Sequence, residues 1–238
     1  MKKVFAALAA CLSLTALSGC GAKMPEGYDT VKTAKTKYNS LDSAHTTMTD
    51  LDTGELIMDF SFYINNSDEM ILSYYGKDGN DEMYAYSDGA QYFYKEPGKD
   101  MWSVINSSAE EYLYNIYNRE NRYPYADGGI FFLDGSSVVE ATVETEADGS
   151  TVVCYVYDAE KLNQSTQGIL EDVSSFSSLE TIFEINADGY ITSFTEIGTV
   201  TDTEGVTRDV NMCISVDNMN EVYEIPYPVD KLDKTSSD

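Results

Sequence analysis

The sequence predicts one α+β domain in which an antiparallel sheet is partly covered by two or three helices. Three observations predict it. Apolar and polar residues alternate over many short stretches, most regularly from Leu56 to Ile64 and from Met70 to Tyr75, the period of two that half-buried strands require. Short Gly-containing turns separate the stretches, as at Lys77–Asp81, Ser87–Gly89 and Glu96–Lys99, and only antiparallel hairpins close over so few residues. Helical spacing is confined to a few segments, and no Pro/Gly/Ser-rich linker divides the 238 residues, so one domain is expected.

The N-terminus has its own logic. Met1-Lys2-Lys3 precedes an apolar run from Val4 to Leu17, the basic start and short hydrophobic stretch of an export signal, too short to serve as a membrane span. It ends in Leu17-Ser18-Gly19-Cys20, which resembles the lipobox of bacterial lipoproteins in residue types, spacing and position. That resemblance implies a diacylglyceryl group on the Cys20 thiol and cleavage just before it. Residues 1–19 are then the signal peptide, 20–27 a lipidated tether and 28–238 the domain. Two or more acyl chains hold a protein on a membrane where one chain alone is marginal, so the expected location is the cell envelope, extracytoplasmic and lipid-anchored.

Charge narrows the partners. Fifteen Lys and Arg stand against 41 Asp and Glu, a net −26, and loss of Lys2 and Lys3 with the signal makes it −28. Such a chain repels phosphate backbones and anionic headgroups, which argues against nucleic acid and against membrane attachment by charge. With 42% hydrophobic and 12% aromatic residues it still builds a core. Of four cysteines, Cys11 falls in the signal and Cys20 carries the lipid, leaving Cys154 and Cys213. Cys154 is in phase with Val152 and Val156, taken as the apolar set, and Cys213 with Asn211 and Ser215. A bridge needs both side chains on one face at close range, so two free thiols are expected. A monomer is expected as well.

In chain order, Asp29 or Thr30 can cap a first helix whose Val31, Ala34, Tyr38 and Leu41 share a face. Its Lys32, Lys35 and Lys37 either lie in solvent or meet headgroups beside the anchor. From about Ala44 the period becomes two. Leu56–Ile64 is a strand, Asn65–Asp68 a turn, and strands follow at Met70–Tyr75, Glu82–Tyr86, Gln91–Lys95 and Met101–Ile105. Ser108-Ala109-Glu110-Glu111 matches a capping box, predicting a helix through Leu113, Ile116 and Tyr117. Asn118–Gly129 is irregular, and Ile130–Leu133 is an apolar run of either type. Strands resume at Val138–Glu146 and Val152–Tyr157. Asp158 caps a turn, and Gln167–Phe176 is weakly helical. Thr181–Asn186, Tyr190–Thr201 and Val206–Asp217 are strands. Tyr223–Val229 is extended, since Pro226 and Pro228 permit only an edge or a non-strand.

Chemistry-bearing patterns are sparse. Glu184-x-Asn186-x-Asp188-Gly189 is spaced like half a calcium loop, but its bidentate position falls on Thr195 and strands flank it, so a glycine-bulge turn accounts for it. His45, the only histidine, has no nucleophile motif to serve and is read as exposed or capping. No cofactor and no metal are expected. The real excess is tyrosine, 19 residues, with Tyr74, Tyr75, Tyr84, Tyr86, Tyr92 and Tyr94 on consecutive strands and Tyr112, Tyr114, Tyr117, Tyr123 and Tyr125 after them. A broad apolar face with a polar tip suits amphiphiles, sugars or protein surfaces, and sheets favour aromatics in any case.

The order of elements resembles the LolA/LppX superfamily of lipoprotein carriers and lipid-binding lipoproteins: an N-terminal helix, a long meander, a helical interruption, further hairpins such as Ile182–Ile197, and a proline-bearing edge. The resemblance spans Tyr28 to Val229. It implies a strongly curved half-barrel whose concave side, covered by helices, encloses an apolar cavity for acyl chains. It supplies no functional position residue by residue, and the acidity and tyrosine content depart from a carrier of anionic lipids. The expected function is non-catalytic binding of an amphiphile or an envelope partner, with Met58, Phe60, Phe62, Met70, Leu72 and Tyr74 as the candidate lining; the same face also suits a packed core. The alternative is a tyrosine-rich module that binds a carbohydrate or protein on a closed core.

Overall fold

Tyr28–Asn39 forms helix α1, with Val31, Ala34 and Tyr38 on its buried face and Leu41 buried just beyond its end. The computed structural model describes residues 24–64, 70–89, 91–95, 98, 102–104, 131–167 and 173–226. The N-cap of α1 is Gly27, at φ 75 and with no side-chain cap, not Asp29 or Thr30, which lie inside the first turn. Packing explains the shift. A Cβ on Gly27 would lie 2.8 Å from Val143 and 2.9 Å from Val153, so a residue that is both left-handed and pressed onto the sheet has to be glycine. The last residue of the expected tether is thus seated on the domain.

Eleven strands are present among the described residues: β1 Ser43–Asp50, β2 Leu56–Ile64, β3 Met70–Asp78, β4 Asp81–Asp88, β5 Tyr92–Lys95, β6 Ser103–Val104, β7 Val138–Thr145, β8 Thr151–Tyr157, β9 Val173–Ile185, β10 Ile191–Asp202 and β11 Thr207–Asp217. They make one sheet in the order β6-β5-β4-β3-β2-β1-β11-β10-β9-β8-β7. Every pairing is antiparallel. Two meanders are joined where the first strand pairs with the last, and β6 and β7 remain as unpaired edges, so the sheet is open. Asn65–Asp68, the capping-box helix after Ser108, Asn118–Gly129 and the segment before Met24 fall outside the described residues.

One face carries the core. Met48 from β1, Phe60 from β2, Leu72 from β3, Tyr155 from β8, Phe183 from β9, Phe194 from β10 and Ile214 from β11 are all buried in a single cluster with α1. Aromatic rings carry the contact between helix and sheet: Tyr38 meets Phe131 at 5.0 Å, Phe131 meets Phe194 at 5.7 Å, and Phe194 meets Phe183 at 4.8 Å, distances at which tilted and edge-on rings attract. Phe131–Leu133 is neither strand nor helix, yet Phe131 and Phe132 are fully committed to this core.

A second, small cluster of Ile71, Tyr86, Phe93 and Ile225 lies on the opposite face. It forms because the chain leaves β11 and crosses back. Asn220 at φ 59 receives the Asp42 N–H on its side chain at 2.8 Å and donates its own N–H to the Ser43 carbonyl at 2.8 Å, and the Val222 N–H reaches Ser43 Oγ at 3.1 Å. Ile225, next to Pro226, then covers the outer side of β3–β5. Residues 221–226 contain no strand, as the prolines require.

Two expectations need correcting. A helix is expected at Gln167–Phe176, of which 168–172 lie outside the described residues; Val173–Phe176 is strand instead. The described helix comes earlier, α2 at Ala159–Thr166, capped by Asp158, whose side chain accepts the Lys161 N–H at 3.0 Å. Ala159 to Leu162 and Gln164 are good helix formers, whereas Ser174, Ser175, Ser177 and Ser178 favour other backbone partners. Asn163 of α2 brackets the Phe176 backbone, donating to its carbonyl at 3.0 Å and accepting its N–H at 2.7 Å, and β9 has already begun at Val173. The phase of β8 is also reversed: Val153, Tyr155 and Tyr157 face the core, while Cys154 faces outward between Val152 and Val156. The two thiols are free, as expected, but for a different reason.

Candidate functional site

Met58, Phe60, Phe62, Met70, Leu72 and Tyr74 are all buried on the inner face of β2 and β3. Register places them together: Phe60 is opposite Tyr74, Phe62 opposite Leu72 and Ile64 opposite Met70. The Phe60 and Phe62 rings stack at 5.6 Å, and Phe60 lies 6.4 Å from Tyr74. The packing of α1 and α2 falls instead on β9 and β10. The six residues form an apolar wall at the β2–β3 end of the same buried cluster that holds α1.

The other half of the same face holds a residue that sequence reasoning missed. Tyr155 is opposite Thr181, Thr181 opposite Glu196 and Glu196 opposite Met212, a row that crosses β8, β9, β10 and β11 on the core side. Glu196 is half-buried, and its carboxyl has no hydrogen-bond or ion-pair partner among the described residues. Burial pushes it up from an ordinary 4.5 to about 7, because leaving water penalises the charged form. Beside it, the Tyr157 hydroxyl and Thr181 Oγ1 share a hydrogen bond of 3.1 Å, both buried. Burial holds the Tyr157 phenol above its usual range; the Thr181 hydrogen bond opposes this, while the nearby Glu196 charge adds to it. The Tyr155 hydroxyl is buried without a partner.

The signal for Glu196 was present but masked. Phe194, Glu196, Gly198 and Val200 are in one phase, while Thr195, Ile197 and Thr199 look equally apolar in the other. A bulge between Ile191 and Ser193 lets both Ile191 and Phe194 face inward although they are three residues apart. Simple alternation counted from Ile191 therefore points Glu196 the wrong way.

Asp134 is a second buried carboxyl, and it is saturated. Ser136 and Ser165 donate their hydroxyls to it at 2.6 Å each, Ser137 donates another, and the Ser136 N–H adds a bond at 3.1 Å. Burial raises it, but the serine hydrogen bonds outweigh burial and hold it below its ordinary value. Because Ser165 belongs to α2, this cradle fixes the helix to the turn before β7. Its arrangement is structural, with every acceptor site occupied by the protein itself.

His45 lies on the outer face, with its side chain 26% exposed. Nδ1 is 2.9 Å from Asp217 and Nε2 is 3.2 Å from Asp59, so one ring ties β11, β1 and β2 together. A neutral imidazole has a single N–H, and only the imidazolium donates to both carboxylates. This is a bridge between strands, with carboxylates where a triad would need a nucleophile.

The remaining candidates resolve as follows. Lys35 donates to the Phe131 carbonyl at 2.6 Å, and Lys37 donates to the Asp188 carbonyl with its ammonium 4.9 Å from the Tyr190 ring centre, so neither is simply solvated; Lys32 is exposed. The loop at Asn186 is a turn: Gly189, at φ 79, donates to the Asn186 carbonyl, and the Asn186 side chain accepts the Tyr190 N–H at 3.0 Å. Tyr74 belongs to the core and Tyr86 is buried under Ile225, which removes Tyr86 from any exposed tyrosine surface. Tyr75 and Tyr84 do face outward with rings 5.2 Å apart, and both hydroxyls point at Glu82.

Among the described residues, no helix is long and apolar enough to cross a membrane. No family model and no curated protein matches the chain.

Proposed function

We propose that the protein is a lipid-anchored cell-envelope lipoprotein whose domain is a LolA/LppX-like half-barrel that binds an amphiphile on its inner face without catalysis. One observation carries the reading. An open eleven-stranded antiparallel sheet buries Met58, Phe60, Phe62, Met70, Leu72 and Tyr74 on one side, while the main contacts of the two described helices are with β9 and β10. Flexible Met side chains and flat aromatic rings suit an acyl chain better than a rigid polar substrate does. The lipobox sequence ending at Cys20 supports the anchor, and the net charge of −26 leaves acyl burial as the means of attachment.

Two measurements test this. Cys20→Ala should move the protein from the membrane fraction to the soluble fraction; if it stays membrane-bound after a high-salt wash, the anchor is wrong. A native mass spectrum of the protein lacking its acyl anchor should show co-purified amphiphile or take up an added fatty acid. A well-folded protein that takes up none ends the binding reading.

A further inference from the structure

We propose that Glu196 receives the headgroup of the bound amphiphile, and that this headgroup is a hydrogen-bond donor, an amine above all, and not a carboxylate or phosphate. The inference rests on the amphiphile-binding reading above and adds the ligand class to it.

The argument begins with placement. Glu196 is on the inner face, in the row Tyr155–Thr181–Glu196–Met212, and the next inward position along β10 is Gly198, which offers no side chain to cover it. Its neighbours on either side are spoken for: Thr181 is fully buried and bonded to Tyr157, and Met212 has no donor to offer. Four of the described cations are engaged elsewhere. Lys35 and Lys37 bond carbonyls beside α1, Lys77 pairs with Glu55 on the outer face, and Lys95 lies over the Tyr84 ring. A half-buried carboxyl that meets no donor among the described residues costs free energy. A ligand that brings an N–H or O–H to it removes that cost, whereas an anionic headgroup meets repulsion from Glu196, which has no ion-pair partner among the described residues. Burial already holds the carboxyl near neutrality, so a donor headgroup finds it an acceptor in either protonation state.

Geometry also gives the ligand a direction. The wall of Met58, Phe60, Phe62 and Leu72 lies on β2 and β3, and Glu196 lies across β1 and β11 on β10. The wall is also offset along the strands: Glu196 is opposite Met212 and Met212 opposite Asp50, whereas Met58, the wall's nearest member, is opposite Met48 in the next row. A chain from Glu196 to the wall therefore runs three strand spacings across, about 14 Å, and further along the strand.

The test compares two fluorescent probes of equal chain length, one a primary amine and one a carboxylate, titrated into the purified full chain at pH 8. The amine should bind at least tenfold more tightly. Glu196→Gln should abolish that preference, and Glu184→Gln, which removes the same charge from the exposed outer face of β9, should leave it intact; thermal melts confirm that both variants fold. If the preference survives Glu196→Gln, or falls equally in Glu184→Gln, net charge is the cause and the inference is overturned while amphiphile binding stands. If neither probe binds to folded wild type, both fall.

Discussion

Cys154 and Cys213 stand at the two ends of one cross-strand row: Cys154 is opposite Ile182, Ile182 opposite Thr195, and Thr195 opposite Cys213. Both thiols face outward on the same side, three strand spacings apart, about 14 Å. A disulfide needs Cβ atoms about 4 Å apart, so distance along the row forbids the bond. Protein lacking the signal segment and Cys20, denatured without reductant, should take two equivalents of a thiol reagent. A mass two units low with no labelling would mean that β9 and β10 do not separate the two cysteines, and the strand order would be wrong.

The two inner carboxyls, Asp134 and Glu196, predict opposite pH responses. Asp134 is held below its ordinary 3.8, so its contribution is present above that value and lost as pH falls through its lower folded value. Asp134→Asn should cost about 2 kcal/mol at pH 7, the worth of charge-assisted hydrogen bonds, and the cost should shrink towards pH 3. Glu196 is raised to about 7 from 4.5, so its contribution is full below 4.5 and lost as pH rises through 7. Glu196→Gln should therefore raise the melting temperature more at pH 8 than at pH 5. Equal shifts at both values would show a carboxyl well exposed to water. Among the described residues, the groups facing Glu196 are Tyr155 and Tyr157 from β8, Thr181 from β9 and Met212 from β11, and none of them titrates in this window.

Gly198 predicts a local packing failure. A Cβ there would lie 2.5 Å from the Ser178 carbonyl oxygen and 3.3 Å from Leu179 Cα, and backbone atoms cannot swing aside as a side chain can. Gly198→Ala should destabilise the protein by about 1–3 kcal/mol through overpacking of the β9–β10 pair. Gly54→Ala is the contrast: its Cβ meets nothing within 4 Å, and its φ of 73 makes backbone strain the only cost. If Gly198→Ala melts with wild type in a denaturant titration, the two strands are further apart than this geometry has them.

The parts of the fold legible in the sequence are those where one phase is clearly apolar. Leu56–Ile64 matches β2 to the residue because Met58, Phe60 and Phe62 alternate with Asp59 and Ser61. Val152–Tyr157 offers apolar residues in both phases, so periodicity had no means of choosing, and the choice came from pairing with Thr181 and Phe183. The Asp158 cap is legible as the cap of a turn, but not the two-turn helix that follows it, and the helical spacing at Val173–Phe176 is overridden by β9. The wall on β2 and β3 was visible as a pattern. The Glu196 row was not, because it depends on a bulge and on the register of four successive strands, β8 to β11.

The last prediction separates a ligand wall from a solid core. If Phe60 and Phe62 line an open space, ligand or water already lies beside them, and Phe60→Ala with Phe62→Ala should cost well below the roughly 3–5 kcal/mol expected for emptying one closed aromatic site. The same pair should weaken uptake of a fluorescent fatty-chain probe at least tenfold, because the lost contact area belongs to the ligand. If the face is packed core, the double variant should unfold or melt far lower, and the wild type should take up no probe at all. The tyrosine-surface alternative now rests on Tyr75 and Tyr84, the outward pair beside Glu82, since Tyr86 is buried. Both are half-buried and in ring contact, so replacing both by Ser should cost about 0.5–1.5 kcal/mol for the lost ring pair, and should leave probe uptake unchanged. Loss of sugar or protein binding in that variant, with probe uptake absent in wild type, would place the function on the outer face and end the inner-face reading.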